Sequence, residues 1–162
     1  MDYIWTPWRM KYIQEHQPDD ECIFCLAVES DDDEKHLVFY RGDHVYMLLN
    51  RYPYTSGHVM CVPYAHEARL HDLEEATRAE MMEMMTRAVQ VLQPVYEPDG
   101  FNIGLNLGEM AGAGVAEHLH THIVPRWAGD ANFMTSVSAT RVLPETLSET
   151  YRRVKEAWDN FS

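Results

Sequence analysis

One stretch limits this chain more than any other: DLEEATRAEMMEMMTRAVQVLQPVYEPDG, which begins at Asp72. Leu73, Thr77, Met81, Met84, Ala88, Leu92 and Val95 recur at helical spacing and form a single apolar stripe. A helix with one such stripe must bury it against another layer. The partners lie on either side in the sequence. HLVFYRGDHVYMLLN, from His36, reads as two strands joined by a turn at Arg41–Asp43, and HVMCVPY, from His58, as a third. DGFNIGLNL, from Asp99, reads as a fourth strand and EHLHTHIVPR, from Glu117, as a fifth. Strands, a long helix and strands again predict an α+β domain built on an antiparallel sheet. Asp72 and Glu75 stand in capping-box spacing at the start of the long helix. PETLSETYRRVKEAWDNF predicts a C-terminal helix opened by Pro144, and TPWRMKYIQEH a short N-terminal one with Thr6 as N-cap. PDDECIFCLAVESDDDEK reads as irregular. The methionines of the long helix read as core filler.

With 162 residues, 46% of them apolar, the chain can bury one real core, and no repeat or linker divides it. A single domain over 1–162 is expected. Within it, 1–20 reads as an N-terminal extension, 21–127 as the core and 128–162 as a C-terminal extension with its helix. The net charge of −13 and the lack of a basic cluster argue against a nucleic-acid partner. A small anionic substrate stays open, because a local pocket can be positive in an acidic protein. MDYIWTPWRM has neither a basic n-region nor an apolar h-region, and no apolar run approaches a membrane span. A cytoplasmic chain without membrane contact is expected. Two of the three cysteines form CIFC (Cys22, Cys25), a spacing that suggests metal or redox use in such a compartment.

The chemistry concentrates in EHLHTHIVPRW. On a strand, His118, His120 and His122 would share one face, roughly 6.5–7 Å apart. An exposed polar face, a metal site and a nucleophilic centre are the competing readings. Upstream, NLGEMAGAGVAEH carries Gly108, Gly112 and Gly114 among small residues, so that backbone N–H groups could cradle an anion. Downstream, Arg126 can add charge and Trp127 can stack or pack.

HLHTHIV resembles the histidine triad motif, with Thr121 in its second apolar slot. LLNRYPYTSGHVMCVPYAH resembles that family's nucleotide-pocket segment. WTPWRMKYI with CIFC, and EHLHTHIVPRWAGDANFM, resemble its diadenosine-tetraphosphate-phosphorylase-like branch. The similarity covers nearly the whole chain. It implies a five-stranded sheet with a long helix and a C-terminal helix, joined across a homodimer that could pair into a dimer of dimers. Trp5 and Trp8 are candidates for an assembly surface.

The resemblance implies His120 as nucleophile on the α-phosphorus of a nucleotide, forming a nucleotidyl-histidine that water or inorganic phosphate then releases. His122 would contact the phosphate or the leaving oxygen, and His118 completes the catalytic triad. Asn50 would hold the ribose and Asn106 the phosphate region. Gly112, Ala113 and Gly114 would give N–H donors, Trp127 would meet the substrate, and Tyr46, Leu48 and Ile23 could wall a base pocket. Relatives also imply a structural zinc on Cys22, Cys25, His66 and His118; no organic cofactor is expected. Strict alternation puts His118 on the face of His120, so such a zinc must sit at the strand's end. His16, His36, His44 and His71 read as histidines without a role, and His58 as a strand cap near the pocket. Several relatives carry a Ser or Thr in the phosphate loop, whereas MAGAGVA has no hydroxyl, which leaves the acceptor open. The implied function is a nucleotidyltransferase or hydrolase acting on dinucleoside polyphosphates. Its rivals are a phosphoramidate or nucleotide hydrolase using water, a non-catalytic nucleotide-binding module, and a metalloenzyme using all three histidines.

Overall fold

The computed structural model describes residues 21–130 and 144–161. The expected helix over 6–16, with Trp5, Trp8 and His16, lies outside them. Five strands form one antiparallel sheet: β1 (Val38–Arg41), β2 (Val45–Leu49), β3 (Val59–Pro63), β4 (Gly100–Leu105) and β5 (Thr121–Arg126). Their order across the sheet is β1-β2-β3-β5-β4. The expected α+β architecture, with a long helix and a C-terminal helix, is present.

Every residue of β2 and β3 is buried, because both faces of the sheet are covered. Val45, Met47, Leu49, Val59, Cys61 and Ile123 face the long helix α3 (Glu75–Tyr96) and bury its Met81, Ala88, Val91 and Leu92, together with Leu73 just before it. The C-terminal helix α4 (Leu147–Asp159) closes the same core with Tyr151, Val154 and Trp158. Tyr46, Leu48, Met60 and Val62 point to the opposite face, where Phe24, Ala27 and Val115 cover them.

Sequence and structure differ at four places. PDDECIFCLAVESDDDEK is not irregular throughout: it contains helix α1 (Ile23–Glu29) and the short turn α2 (Asp33–His36). Two turns of helix are too short to be stable alone. Here Phe24 and Ala27 pack on the sheet, and the Arg41 guanidinium donates to the carbonyls of Ala27, Val28 and Ser30 at the helix end. The Asp72–Glu75 capping box does not form. Asp72 sits in a 3-10 turn and pairs with Arg69, and Glu74 takes the N-cap position. α4 opens at Leu147, where Thr146 and Glu149 make a reciprocal capping box, rather than at Pro144. The last difference matters most. β5 starts at Thr121, not at Glu117, because the β3–β5 ladder ends at the Cys61–Thr121 pair and Leu119 N–H turns aside to Glu67 O. Strict alternation therefore fails at the first two histidines of the triad.

Candidate functional site

His118, His120 and His122 have three different surroundings. His122 lies on β5 opposite Met60. It shares the sheet face of Leu48 and Met60. His120 precedes the strand and bends its ring back on its own chain: Nδ1–H donates to the carbonyl of His118 at 2.8 Å. That bond fixes the tautomer and leaves the Nε2 lone pair available as a nucleophile. Burial pushes the His120 pKa below its ordinary value, so the ring is neutral at pH 7. A neutral imidazole is the reactive form.

His118 is fully buried and turns away from the others. Its Nε2–H donates to Pro63 O at 2.9 Å, which leaves the Nδ1 lone pair aimed at Cys22 Sγ (3.4 Å) and Cys25 Sγ (3.6 Å). His66 Nδ1 lies 3.3 Å from Cys25 Sγ. One ligand atom from each of Cys22, Cys25, His66 and His118 falls within 4.8 Å of all the others. Two thiols and two imidazole nitrogens converging in this way form a donor set suited to tetrahedral zinc. The Pro63 carbonyl holding the far side of His118 is the outer support such a ligand needs. The Cys25 thiol is pushed up to about 11, mainly by burial and by Cys22 beside it. A cation binding there must displace that proton. His66 is exposed and gives the cluster an entry path. The His118 ring therefore faces this cluster, while its backbone carbonyl holds His120 Nδ1.

His58 was expected only as a strand cap. It is instead buried and its Nε2 is 3.0 Å from His122 Nδ1. Tyr54 N–H donates to His58 Nδ1 at 3.1 Å, so that nitrogen is the acceptor and the proton resides on Nε2. His58 then donates to His122 Nδ1, which places the His122 proton on its own Nε2. The Asn50 amide nitrogen is 3.5 Å from His58 Nε2; this is a longer donor–donor contact, and the His122 bond prevails. The sequence could not give this pairing without the β3–β5 register, which sets the side chains of His58 and His122 diagonally on one face.

A cavity of about 350 Å³ opens beside these rings. Asn50, Asn106, Gly112, Gly114, His120 and His122 border it together, as do Leu48 and Ile23. Phe24 forms the wall against His120, the two ring centroids 4.9 Å apart. Three expectations are corrected. Tyr46 is wholly buried, with its hydroxyl on Phe24 O, and does not line the cavity. Trp127 donates from its indole to Tyr96 O and lines a separate cleft with Tyr96 and Arg153. The Gly112 and Ala113 N–H groups are used inside their own loop, on Glu109 O and Gly108 O. Asn50 Oδ1 accepts Tyr52 N–H and closes the turn after β2, and Asn106 Nδ2 donates to Gly112 O.

The family model described as HIT domain matches residues 32–129. The chain is 43% identical to an "AP-4-A phosphorylase" of Mycobacterium tuberculosis over 162 residues, covering 96% of this chain and 83% of that one. It is 33% identical over 93 residues to a "Bis(5'-nucleosyl)-tetraphosphatase [asymmetrical]" of Schizosaccharomyces pombe, covering 57% of this chain and 50% of that one. Among solved structures it is similar to a Zn-bound histidine triad family protein from Mycobacterium smegmatis. The TM-score is 0.69 and the identity 28%, over 86% of this chain and 94% of that one.

Proposed function

The chain belongs to the HIT domain family, and we propose that it is an enzyme cleaving dinucleoside polyphosphates through a nucleotidyl-histidine on His120, with inorganic phosphate as acceptor. The observation that carries this reading is the His118 carbonyl on His120 Nδ1, which commits Nε2 to attack. The Nε2 lone pair forms a P–N bond to the α-phosphorus, and the bond from that phosphorus to the leaving oxygen breaks. His122, whose Nε2 carries the proton in the His58 arrangement, donates a hydrogen bond to that oxygen, which leaves as a phosphate anion with the bonding pair. A phosphate oxygen then bonds to the phosphorus as the P–N bond breaks, and His120 leaves as the neutral imidazole with the pair back on Nε2. For diadenosine tetraphosphate the products are ATP from the first step and ADP from the second. The apolar wall of Ile23, Phe24, Leu26, Ala27 and Leu48 suits a nucleobase, and Asn50, which borders the same cavity, would hold the ribose. The similarity to a phosphorylase across most of both chains supports phosphate over water.

Cys22, Cys25, His66 and His118 would hold zinc. Bound there, the ion supplies structure: it ties α1 to the residues just before β5. A reducing compartment, which keeps Cys22 and Cys25 as thiols, fits the expected cytoplasmic location. No helix among the described residues is long and apolar enough to cross a membrane. The edge strand β4, with Ile103 and the following Leu107 exposed, is the natural seam for a homodimer whose sheets run together. The test is product identification after incubation with diadenosine tetraphosphate, with and without phosphate. ATP and ADP formed only with phosphate support phosphorolysis. ATP and AMP formed in both would assign hydrolysis, and no cleavage in either would refute the reading.

A further inference from the structure

Two sites share one short piece of backbone. α1 begins at Cys22, its N-cap, and carries Cys25 in its first turn, and both thiols belong to the cysteine–histidine cluster. Phe24, between them, is buried and belongs to the cavity wall. Its ring is edge-on to His118, 5.4 Å between centroids, and tilted over His120 at 4.9 Å. Ile23, Leu26 and Ala27 of the same helix complete that wall. The two histidines are joined directly as well, through the His118 carbonyl. A seven-residue helix does not hold itself in place. The Arg41 guanidinium fixes its C-terminal end, and among the described residues the ties near its N-terminal end are the Tyr46 hydroxyl on Phe24 O and the cluster itself.

We propose that Phe24 is a positioning residue coupling the two sites, so that a metal ion on the cluster and a nucleotide in the cavity each favour binding of the other. This rests on the reading of the cavity as a nucleotide site. The metal fixes α1, α1 presses Phe24 on His120, and a ligand filling the cavity braces the same wall from the other side. Such coupling is reciprocal: the factor by which nucleotide tightens the metal equals the factor by which metal tightens the nucleotide.

The test is a zinc titration against a chromogenic chelator, with and without saturating AMP, with AMP binding followed by calorimetry on the zinc-loaded and zinc-free chain. In the wild type, AMP tightens zinc by about fivefold or more, and zinc tightens AMP by the same factor. In Phe24→Ala both factors fall below about twofold while zinc still binds at one per chain, and Phe24→Leu retains most of the coupling. Equal zinc affinity with and without AMP in the wild type overturns the proposal, as does full coupling in Phe24→Ala. If Phe24→Ala does not fold, the wild type and Phe24→Leu decide. Binding of both ligands without coupling overturns this inference alone. Binding of zinc with none of AMP overturns the nucleotide reading, and this inference with it.

Discussion

His58→Phe tests the proton arrangement behind His122. The substitution keeps an aromatic ring of similar size but removes Nε2–H from His122 Nδ1 and Nδ1 from the Tyr54 N–H. His122 then loses the bond that selects its Nε2–H tautomer. A hydrogen bond between neutral groups is worth about 0.5–1.5 kcal/mol net. If that energy maintains the productive tautomer, kcat should fall roughly 2- to 13-fold. Removing the donor itself, as in His122→Ala, should cost on the order of 100-fold or more. KM should change little in His58→Phe, because His58 does not itself line the cavity. Steady-state kinetics on diadenosine tetraphosphate with phosphate, with nucleotides separated by chromatography, gives both numbers. A loss as large as that of His122→Ala would mean that His58 itself touches the reacting atoms. An unchanged kcat would mean that the His58–His122 bond sets nothing, and the tautomer argument would be wrong.

Other consequences are as direct. Burial holds His120 below its ordinary value of 6.5, so it gains no stability from protonation. Between its folded pKa and 6.5 the unfolded chain binds more protons, so stability should fall as pH drops through that window, read by thermal melts of the zinc-loaded protein. kcat/KM should stay level on the acid side of neutrality and drop only below 6.5, as His120 becomes charged. Metal analysis should find about one zinc per chain in the wild type and in His120→Ala, and none in Cys25→Ser, in line with a four-ligand structural site; loss of zinc in His120→Ala would point instead to a catalytic metal. Gly57 adopts φ +72, and a Cβ there would come 2.8 Å from the Tyr96 ring, so Gly57→Ala should cost about 1–3 kcal/mol and lower Tm by several degrees. Trp127→Phe should leave KM for the nucleotide within about twofold, because its indole bonds Tyr96 O in a different cleft.

The sheet and long helix were legible because β-like segments and a helix-period stripe each bury a face, and the pattern of apolar residues records it. The cysteine–histidine set was legible only through family resemblance, since nothing in the spacing ties Cys25 to His66 or His118. α1 was not legible: its seven residues depend on Phe24 and Ala27 packing across the sheet and on Arg41 from β1, contacts that no local window contains. Strand periodicity gave His118, His120 and His122 one shared face. The chain leaves the ladder before Thr121, and each ring then takes the partner nearest to it: a thiol pair, a backbone carbonyl, a second histidine. His58 escaped because its role depends on register across two strands. The Gly-rich loop offers a row of backbone donors in the sequence, whereas its own 3-10 turn uses the Gly112 and Ala113 N–H groups.

The most direct measurement is a rapid quench of the protein with diadenosine tetraphosphate in the absence of phosphate, followed by intact mass and peptide mapping at neutral pH. The account predicts a chain heavier by one AMP unit, with the AMP on His120 and none on His120→Gly, and release of that AMP as ADP once phosphate is added. Cleavage with no adduct at any time, or an adduct on a residue other than His120, would contradict it.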